Sequence, residues 1–225
     1  MICAVSRSGS TYLCELLAST LALGNPNEYF NTAGRRRRMG PSYPADGFAQ
    51  IDIIRTIGAT SNGIYAVKVI GPQLARIASS IDPFRDLPNL SFVRIHRRDI
   101  LGQAISLARA RQTGRFITSD QQRGAPAYSH GQIRHAIQSI RQQEAIWDET
   151  MARLAAQPLV VAYEEILSDA QHVVDRIATH MGVAMPVPID RTLITLSVQR
   201  DEQSVEWRER FLAEAGDEFR RLADR

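Results

Sequence analysis

Short apolar runs separate longer segments in which apolar residues recur at helical spacing. The first run, residues 2–5, predicts a strand. Leucines at positions 13, 16, 17 and 21 follow it, a spacing that predicts a helix ending near Gly24-Asn25-Pro26. Three more runs predict strands at about 64–70, 91–96 and 158–163. Six further segments predict helices at about 47–57, 72–80, 99–112, 131–155, 169–182 and 203–223.

Strands that alternate with helical segments indicate βαβ units, so we predict the α/β class, with a parallel β-sheet flanked by helices. A chain of 225 residues suits one domain, and no linker or repeat divides it, so the domain is expected to span 1–225. Segments 31–46 and 114–129 are rich in Gly, Pro, Ser and charge and are predicted to be long loops over one face. Ligands of such sheets bind at the carboxyl ends of the strands.

The composition is that of a globular protein, with 44% hydrophobic and 23% charged residues, and no apolar run approaches the roughly 20 residues that cross a bilayer. We therefore expect a cytoplasmic protein without a signal peptide or transmembrane segment. The two cysteines, Cys3 and Cys14, are predicted to be core thiols and not disulfide partners or metal ligands. A net charge of +3 and a pI near 9.1 permit an anionic ligand but are too mild to require nucleic acid.

The first strand runs into a polar turn, Ser6-Arg7-Ser8-Gly9-Ser10-Thr11, just before the first predicted helix. The backbone N–H groups at a helix start lack partners within the helix, and the helix dipole adds partial positive charge there. Glycine allows a phosphate to approach the backbone closely, hydroxyl groups donate hydrogen bonds, and arginine adds a planar fork of donors. The pattern predicts an anion-binding turn.

Two other classes of protein use such turns and stay open at this point. A nucleotide phosphotransferase is the first, but the Walker pattern G-x-x-x-x-G-K-[ST] is absent, and this turn contains no lysine. The dinucleotide pattern G-x-G-x-x-G is absent from the turn as well. A non-catalytic module that binds anions or nucleic acid is the second, and it would show salt-sensitive binding without turnover.

Two motifs resemble those of sulfotransferases that use 3′-phosphoadenosine 5′-phosphosulfate (PAPS). The segment "SRSGSTYLCELL" resembles their 5′-phosphosulfate loop, with Arg7 where many members have lysine and Ser6 where a proline often stands. The segment "FVRIHRRDILGQAIS" resembles their 3′-phosphate motif, in which Arg98 is followed eight residues later by Ser106. Further segments, including "YAVKVIGPQL", "VVAYEEIL" and "SVQRDEQSVEW", narrow the resemblance to the bacterial trehalose 2-sulfotransferase-like family over nearly the whole chain.

The resemblance implies transfer of a sulfuryl group from PAPS to a hydroxyl of a carbohydrate or glycolipid-type acceptor, without a metal. It also implies a homodimer and a P-loop-like sulfotransferase fold. In-line transfer depends mostly on positioning and electrostatics. The resemblance and the chemistry of the side chains together predict a donor site formed by Arg7, Ser8, Gly9, Ser10, Thr11, Arg98, Ser106 and Arg200.

The acceptor hydroxyl needs a base, and Glu28 in "GNPNEYF" matches the acidic residue of the family that is proposed for this role. Lys68 is the only lysine among 27 basic residues, and it lies within a predicted strand. It neutralises the transferring group or steadies Glu28, or else it is an edge-strand lysine that reaches solvent.

Other charged and aromatic residues are given structural interpretations. The run Arg35 to Arg38 is predicted to be solvated, with contact to an acidic acceptor as the alternative. Arg97 is expected to pair with Asp99. The two tryptophans, Trp147 and Trp207, are expected to lie in the core or an interface, and no histidine shows metal-ligand spacing.

Overall fold

A computed structural model of the protein describes residues 1–116, 123–196 and 202–215. Among these residues, four strands form one sheet in the order β2-β1-β3-β4. All neighbouring strands pair in parallel, with Ile2 opposite Lys68 on one side and Val93 on the other. The predicted parallel sheet is confirmed. The strands are β1 (Ile2–Ala4), β2 (Lys68–Ile70), β3 (Val93–His96) and β4 (Leu159–Ala162).

Helices connect the strands and cover both faces of the sheet. Several begin where a polar side chain caps free backbone N–H groups: Asp46, Asp99, Ser129 and Asp169 each accept such a bond. None of the described helices combines the length and apolar character that crossing a membrane requires. The helices are α1 (Ser10–Ser19), α2 (Thr32–Met39), α3 (Gly47–Thr56), α4 (Gln73–Ile77), α5 (Pro83–Asp86), α6 (Ile100–Thr113), α7 (His130–Leu154), α8 (Tyr163–Ser168), α9 (Ala170–His180) and α10 (Glu202–Glu214).

The two faces of the sheet are packed into two apolar clusters, one containing α6 and α7, the other α1 and α9. Trp147 and Trp207 are both buried in the first cluster, as predicted. Cys3 and Cys14 are free, buried thiols, also as predicted. Burial raises the pKa of Cys3 to about 12 and that of Cys14 to about 11, so both thiols are protonated and inert at neutral pH.

Several elements differ from the sequence prediction. The short helices α5 and α8 were not predicted, and α4 ends at Ile77, before the predicted end near residue 80. The segment 31–46 is not one long loop, because α2 lies within it; Asn31 caps this helix by accepting a hydrogen bond from the Gly34 N–H. The second strand is shorter than predicted, because Tyr65 forms a bridge with Ala59 and the N–H of Ala66 donates to Gly58 before the sheet begins. The predicted loop 114–129 and the last predicted helix extend partly beyond the described residues.

Candidate active site

The turn between β1 and α1 lies at the carboxyl end of an inner strand and has an unusual backbone. Arg7 has a φ of 62° and Gly9 a φ of 85°, both in the left-handed region. Gly9 occupies the cap position of α1, and no side chain caps this helix start. The first N–H groups of α1 therefore face the turn without a side-chain partner, as an anion site requires.

Side chains from α6 and α7 hold the turn in this shape. Both the N–H and the hydroxyl of Ser6 donate to Gln143 Oε1, each at 2.9 Å, and Gln103 Nε2 donates to the Ser6 carbonyl at 2.7 Å. The Trp147 indole donates to the Ala4 carbonyl at 2.9 Å. A proline at position 6 has no N–H, so serine gains a hydrogen bond to Gln143 at the point where this chain departs from the common pattern.

Both the positive φ and the neighbouring Tyr163 ring require glycine at position 9. A Cβ at this position would lie 2.1 Å from Tyr163 Cδ2, because the Tyr163 ring at the start of α8 packs against the turn. Arg97 lies over the same ring, 5.2 Å from its centre. The ring thus links the turn to β4 and to the end of β3.

Arg7 extends from the turn toward α6. Its Nε donates to Ser106 Oγ at 2.9 Å, and its Nη1 donates to the Phe116 carbonyl. Burial lowers the pKa of Arg7, and the neighbouring Arg97 guanidinium lowers it further. Ser106, which the sequence pattern associates with Arg98, is therefore the partner of Arg7 in this structure.

Arg98 contacts two glutamates of α8. Its Nη2 lies 2.8 Å from Glu165 Oε1, its backbone N–H donates to Glu164 Oε2 at 3.1 Å, and its side chain is 53% exposed. Arg98 and Ser106, which the motif assigns to one phosphate, thus contact different residues in this structure: Glu165 and Arg7, respectively.

Three buried side-chain atoms near the turn have no hydrogen-bond partner: the acceptor Gln103 Oε1 and two atoms that can donate. Ser8 is completely buried and its Oγ is unpaired. Arg97 pairs with Asp99 at 3.4 Å, as expected, but its Nε is buried and unpaired. Buried polar groups are normally satisfied, so the Ser8 hydroxyl and Arg97 Nε offer donors that fit an anion. No sequence signal distinguished Arg97 from a solvated arginine.

A second cluster joins the start of α1 to the segment after it. Lys68 Nζ lies 2.9 Å from Glu28 Oε1 and donates to Thr11 Oγ1 at 3.1 Å. The side chains of Lys68 and Glu28 are only 6% and 17% exposed. Lys68 is therefore a buried cation paired with Glu28, and the alternative of a lysine that reaches solvent is wrong.

Glu28 accepts further hydrogen bonds on its other oxygen. Asn31 Nδ2 and Gln73 Nε2 donate to Glu28 Oε2 at 2.8 and 3.2 Å. Burial raises the pKa of Glu28, but the Lys68 ammonium and the hydrogen bonds from Lys68, Asn31 and Gln73 together hold it below its ordinary value. Glu28 is consequently ionised at neutral pH. Asn31 and Gln73 belong to this cluster although nothing in the sequence pattern singled them out.

The arginine run is ordered and not uniformly solvated. Arg35 is buried on α2, with its guanidinium 5.0 Å from the centre of the Tyr29 ring and 5.6 Å from that of Tyr43. Arg37 and Arg38 are exposed, as predicted. The remaining predicted site residue, Arg200, lies outside the described residues.

Comparison with known proteins gives three findings. A model of the Stf0 sulphotransferase family matches residues 1–214. The trehalose 2-sulfotransferases of Mycobacterium tuberculosis (strain ATCC 35801 / TMC 107 / Erdman) and of Mycolicibacterium smegmatis (strain ATCC 700084 / mc(2)155) are each 28% identical to this chain, over 96% of it and 94% of the relative. Among solved structures, the sulfotransferase domain from the curacin biosynthetic pathway is 14% identical, with a TM-score of 0.49 over 95% of both chains.

Proposed function

Since this chain belongs to the Stf0 sulphotransferase family, we propose that it transfers a sulfuryl group from PAPS to a hydroxyl of a carbohydrate or glycolipid-type acceptor. The observation that carries the proposal is the position of Lys68, which hydrogen-bonds both to Glu28 and to Thr11 at the start of α1. An ionised carboxylate suited to accept a proton thereby lies next to a turn suited to hold an anion. Trehalose is the first acceptor to test, because two relatives are named for it.

The donor contacts follow from the chemistry of the turn. The N–H groups at the start of α1, the unpaired Ser8 hydroxyl and the Arg7 guanidinium provide donors for the 5′-phosphosulfate. Gly9 allows the close approach, and Ser10 and Thr11 complete the helix start. Arg98 and Ser106 are proposed for the 3′-phosphate, with Arg200 as a further contact. Arg98 then exchanges or shares its Glu165 partner.

PAPS, when bound, supplies an activated sulfuryl group. Glu28 accepts the proton of the acceptor hydroxyl, while Arg7 and the turn stabilise charge on the departing phosphate. Lys68 uses two of its three N–H donors on Glu28 and Thr11. The third donor is available to stabilise the transferring group.

The nucleotide site is tested by calorimetric titration with 3′-phosphoadenosine 5′-phosphate, and separately with ATP and magnesium. We expect the bisphosphate to bind the wild type and to bind at least about tenfold more weakly to Arg7→Ala and to Arg98→Ala, since charged hydrogen bonds contribute about 1.5–3 kcal/mol. Arg153→Ala removes an exposed arginine near the end of α7 and is the matched control. Binding of ATP with magnesium in place of the bisphosphate would indicate a phosphotransferase.

Activity is tested by transfer of labelled sulfate from PAPS to trehalose and a panel of other sugars. Glu28→Gln keeps the shape of the side chain but removes the base, so we expect it to bind the bisphosphate and to lose activity by about a hundredfold or more. Bisphosphate binding without transfer to any acceptor would favour a non-catalytic binding module.

We also propose that the enzyme is a cytoplasmic homodimer, as the family resemblance implies. Sedimentation equilibrium measures its mass in solution. A monomer at micromolar concentration would contradict the dimer.

A further inference from the structure

We infer that Gln73 and Asn31 are positioning residues for the base: they occupy Glu28 Oε2 and leave Oε1 as the atom that receives the acceptor proton. The inference rests on the proposed sulfuryl transfer, and it assigns roles to two residues outside the predicted site. It follows from the hydrogen-bonding capacity of a carboxylate and from the way each amide is anchored.

The first step concerns Oε2. Each carboxylate oxygen has two lone-pair sites. Asn31 Nδ2 lies 2.8 Å and Gln73 Nε2 3.2 Å from Oε2, so its two sites are filled by amide donors. This oxygen has no further capacity for a hydroxyl proton.

The second step concerns Oε1. Lys68 Nζ, at 2.9 Å, is its partner among the described residues, which leaves one lone pair available. The same ammonium donates to Thr11 Oγ1 at the start of α1. The free lone pair therefore belongs to Oε1, the oxygen that Lys68 connects to the donor turn. The acceptor hydroxyl has to attack sulfur next to that turn.

The third step is that both amides are fixed in the donating orientation. Gln73 Oε1 accepts from the Ile70 N–H at 3.0 Å, and Asn31 Oδ1 accepts from the Gly34 N–H at 3.1 Å. A flipped amide would place an NH₂ group against a backbone N–H, so the oxygen of each amide is assigned by its backbone partner. The NH₂ group must then face Glu28. Gln73 is also buried, which restricts its rotation.

The proton transfer balances with this assignment. As the acceptor oxygen bonds to sulfur, its O–H bond breaks and the proton passes to Glu28 Oε1. The bond from sulfur to the phosphate oxygen breaks, and the departing nucleotide keeps that electron pair. Lys68 remains protonated and next to the newly neutral carboxyl group, so its charge becomes available to the transferred group.

Gln73→Met tests the inference, because it removes the donor with little change in side-chain volume. Gln171→Met is the matched control: Gln171 Nε2 donates to the Asp175 carboxylate at 2.8 Å on α9, away from the site. The first readout is the titration of the Glu28 carboxyl in ¹³C-glutamate-labelled protein, with Glu28→Gln assigning the signal. Cys14 from α1 is the titratable neighbour whose charge couples to that of Glu28, and burial raises the pKa of Cys14 to about 11, so it stays neutral in the acid range; the Lys68 ammonium from β2 is the charged partner.

We expect Gln73→Met to raise the pKa of Glu28 by about one unit, because a hydrogen bond to the charged form is lost. The acid limb of kcat should move upward equally, and kcat should fall by about tenfold through looser positioning. Bisphosphate affinity and the behaviour of Gln171→Met should match the wild type. If Gln73→Met folds poorly, Asn31→Asp is the second variant, since it keeps the Oδ1 cap of α2 and replaces the donor with a like charge, which should also raise the pKa of Glu28.

An unchanged pKa of Glu28 in both variants would overturn the inference. So would a variant that loses thermal stability while its acid limb stays in place, because that result indicates a structural role alone. The titration needs no substrate, so it separates this inference from the proposed function: an inactive Glu28→Gln with an unshifted Gln73→Met rejects only the positioning role. Failure of the bisphosphate to bind rejects the sulfotransferase proposal itself.

Discussion

At the scale of single residues, Lys68 is the clearest case in which one change should have a large effect. In the wild type, the Glu28 side chain is only 17% exposed. Lys68→Met removes the ammonium partner of this largely buried carboxylate. Removing one member of a buried ion pair typically costs about 3 kcal/mol, and we expect a loss of that size in urea unfolding at pH 7. The double variant Lys68→Met with Glu28→Gln should recover most of it, because no unpaired charge is left; if the loss persists, it belongs to packing.

The same pair gives a prediction about pH. Burial alone would raise the pKa of Glu28, but Lys68 and the amide donors hold it below its ordinary value. The pair therefore adds stability that is fully present above the unfolded pKa of about 4.3 and is lost as the pH falls through the lower folded pKa. In Lys68→Met the folded pKa rises and protonation relieves the buried charge. Urea unfolding should show the gap between variant and wild type narrowing from pH 7 to pH 4, and a constant gap would contradict this account.

Alanine substitutions of two glycines with nearly the same backbone angle separate the cost of a steric clash from the cost of a left-handed φ. Gly9→Ala places a methyl group 2.1 Å from Tyr163 Cδ2 at a φ of 85°, so we expect a loss of about 2–4 kcal/mol and weaker bisphosphate binding. Gly63→Ala is the matched control, because its φ is 83° and nothing lies within 4 Å of the added Cβ. It should cost only about 1–2 kcal/mol, the strain of the left-handed region. Equal losses would mean that Tyr163 moves aside freely.

The sequence located the candidate residues better than it located their partners. Arg7, Glu28 and Lys68 could be selected because a turn, a carboxylate and a lone lysine each carry a recognisable chemical signal. The link from Lys68 to Glu28 could be named only as one alternative among others, because both faces of this sheet are buried and a three-residue strand does not indicate where its side chains point. Asn31 and Gln73 gave no signal, since an amide is informative only once its neighbours are known.

At the scale of elements, α2 is held by the packing of an arginine side chain, an interaction that its sequence pattern does not indicate. Arg35→Ala removes a guanidinium packed against two tyrosine rings. We expect it to lower the free energy of unfolding by about 2 kcal/mol, the sum of two partly buried cation–π contacts. Arg37→Ala, on the same helix but exposed, should stay within about 0.5 kcal/mol of the wild type. Urea unfolding of both variants makes the comparison, and equal effects would mean that the rings do not stabilise the helix.

The same contact explains why the segment 31–46 was expected to be a loop. Four consecutive arginines have no apolar periodicity, and helical spacing was the signal used for every helix that was predicted from the sequence. Here the cap comes from Asn31 and the packing comes from an arginine, which binary patterns count as polar. Elements with an apolar stripe, such as α6 and α7, were found within one residue at each end.

At the scale of the whole molecule, thiol reactivity tests the packing of both sheet faces. Cys3 belongs to one apolar cluster and Cys14 to the other. Because burial raises the pKa of Cys3 to about 12 and that of Cys14 to about 11, native protein at pH 8 should resist iodoacetamide at both positions. In denaturant, mass spectrometry should find two labels, matching the two cysteines of the chain. Rapid labelling of native Cys14 would show that α1 opens.

The fold class could be predicted because the alternation of strands and helices is a property of the whole chain and survives errors of a few residues in any element. The site could be predicted only in part, since its partners are far apart in sequence. Arg7 meets Ser106 across 99 positions, and Glu28 meets Gln73 across 45. Spacing motifs report contacts within one turn or one helix, so they missed these pairs.

The long sequence separation between Ser6 and Gln143 also determines when their contact can form during synthesis. Gln143 follows Ser6 by 137 positions. At about 5–20 residues per second, Gln143 is therefore synthesised on the order of ten seconds after the turn whose Ser6 donates to it. A ribosome-bound chain that ends before α7 carries the complete turn and its α6 partners Gln103 and Ser106, but not the Gln143 side chain that accepts two hydrogen bonds from Ser6. The contacts that α7 makes with Ser6 and Ala4 can therefore form only late in synthesis, so the turn is less constrained in the growing chain than in the finished protein.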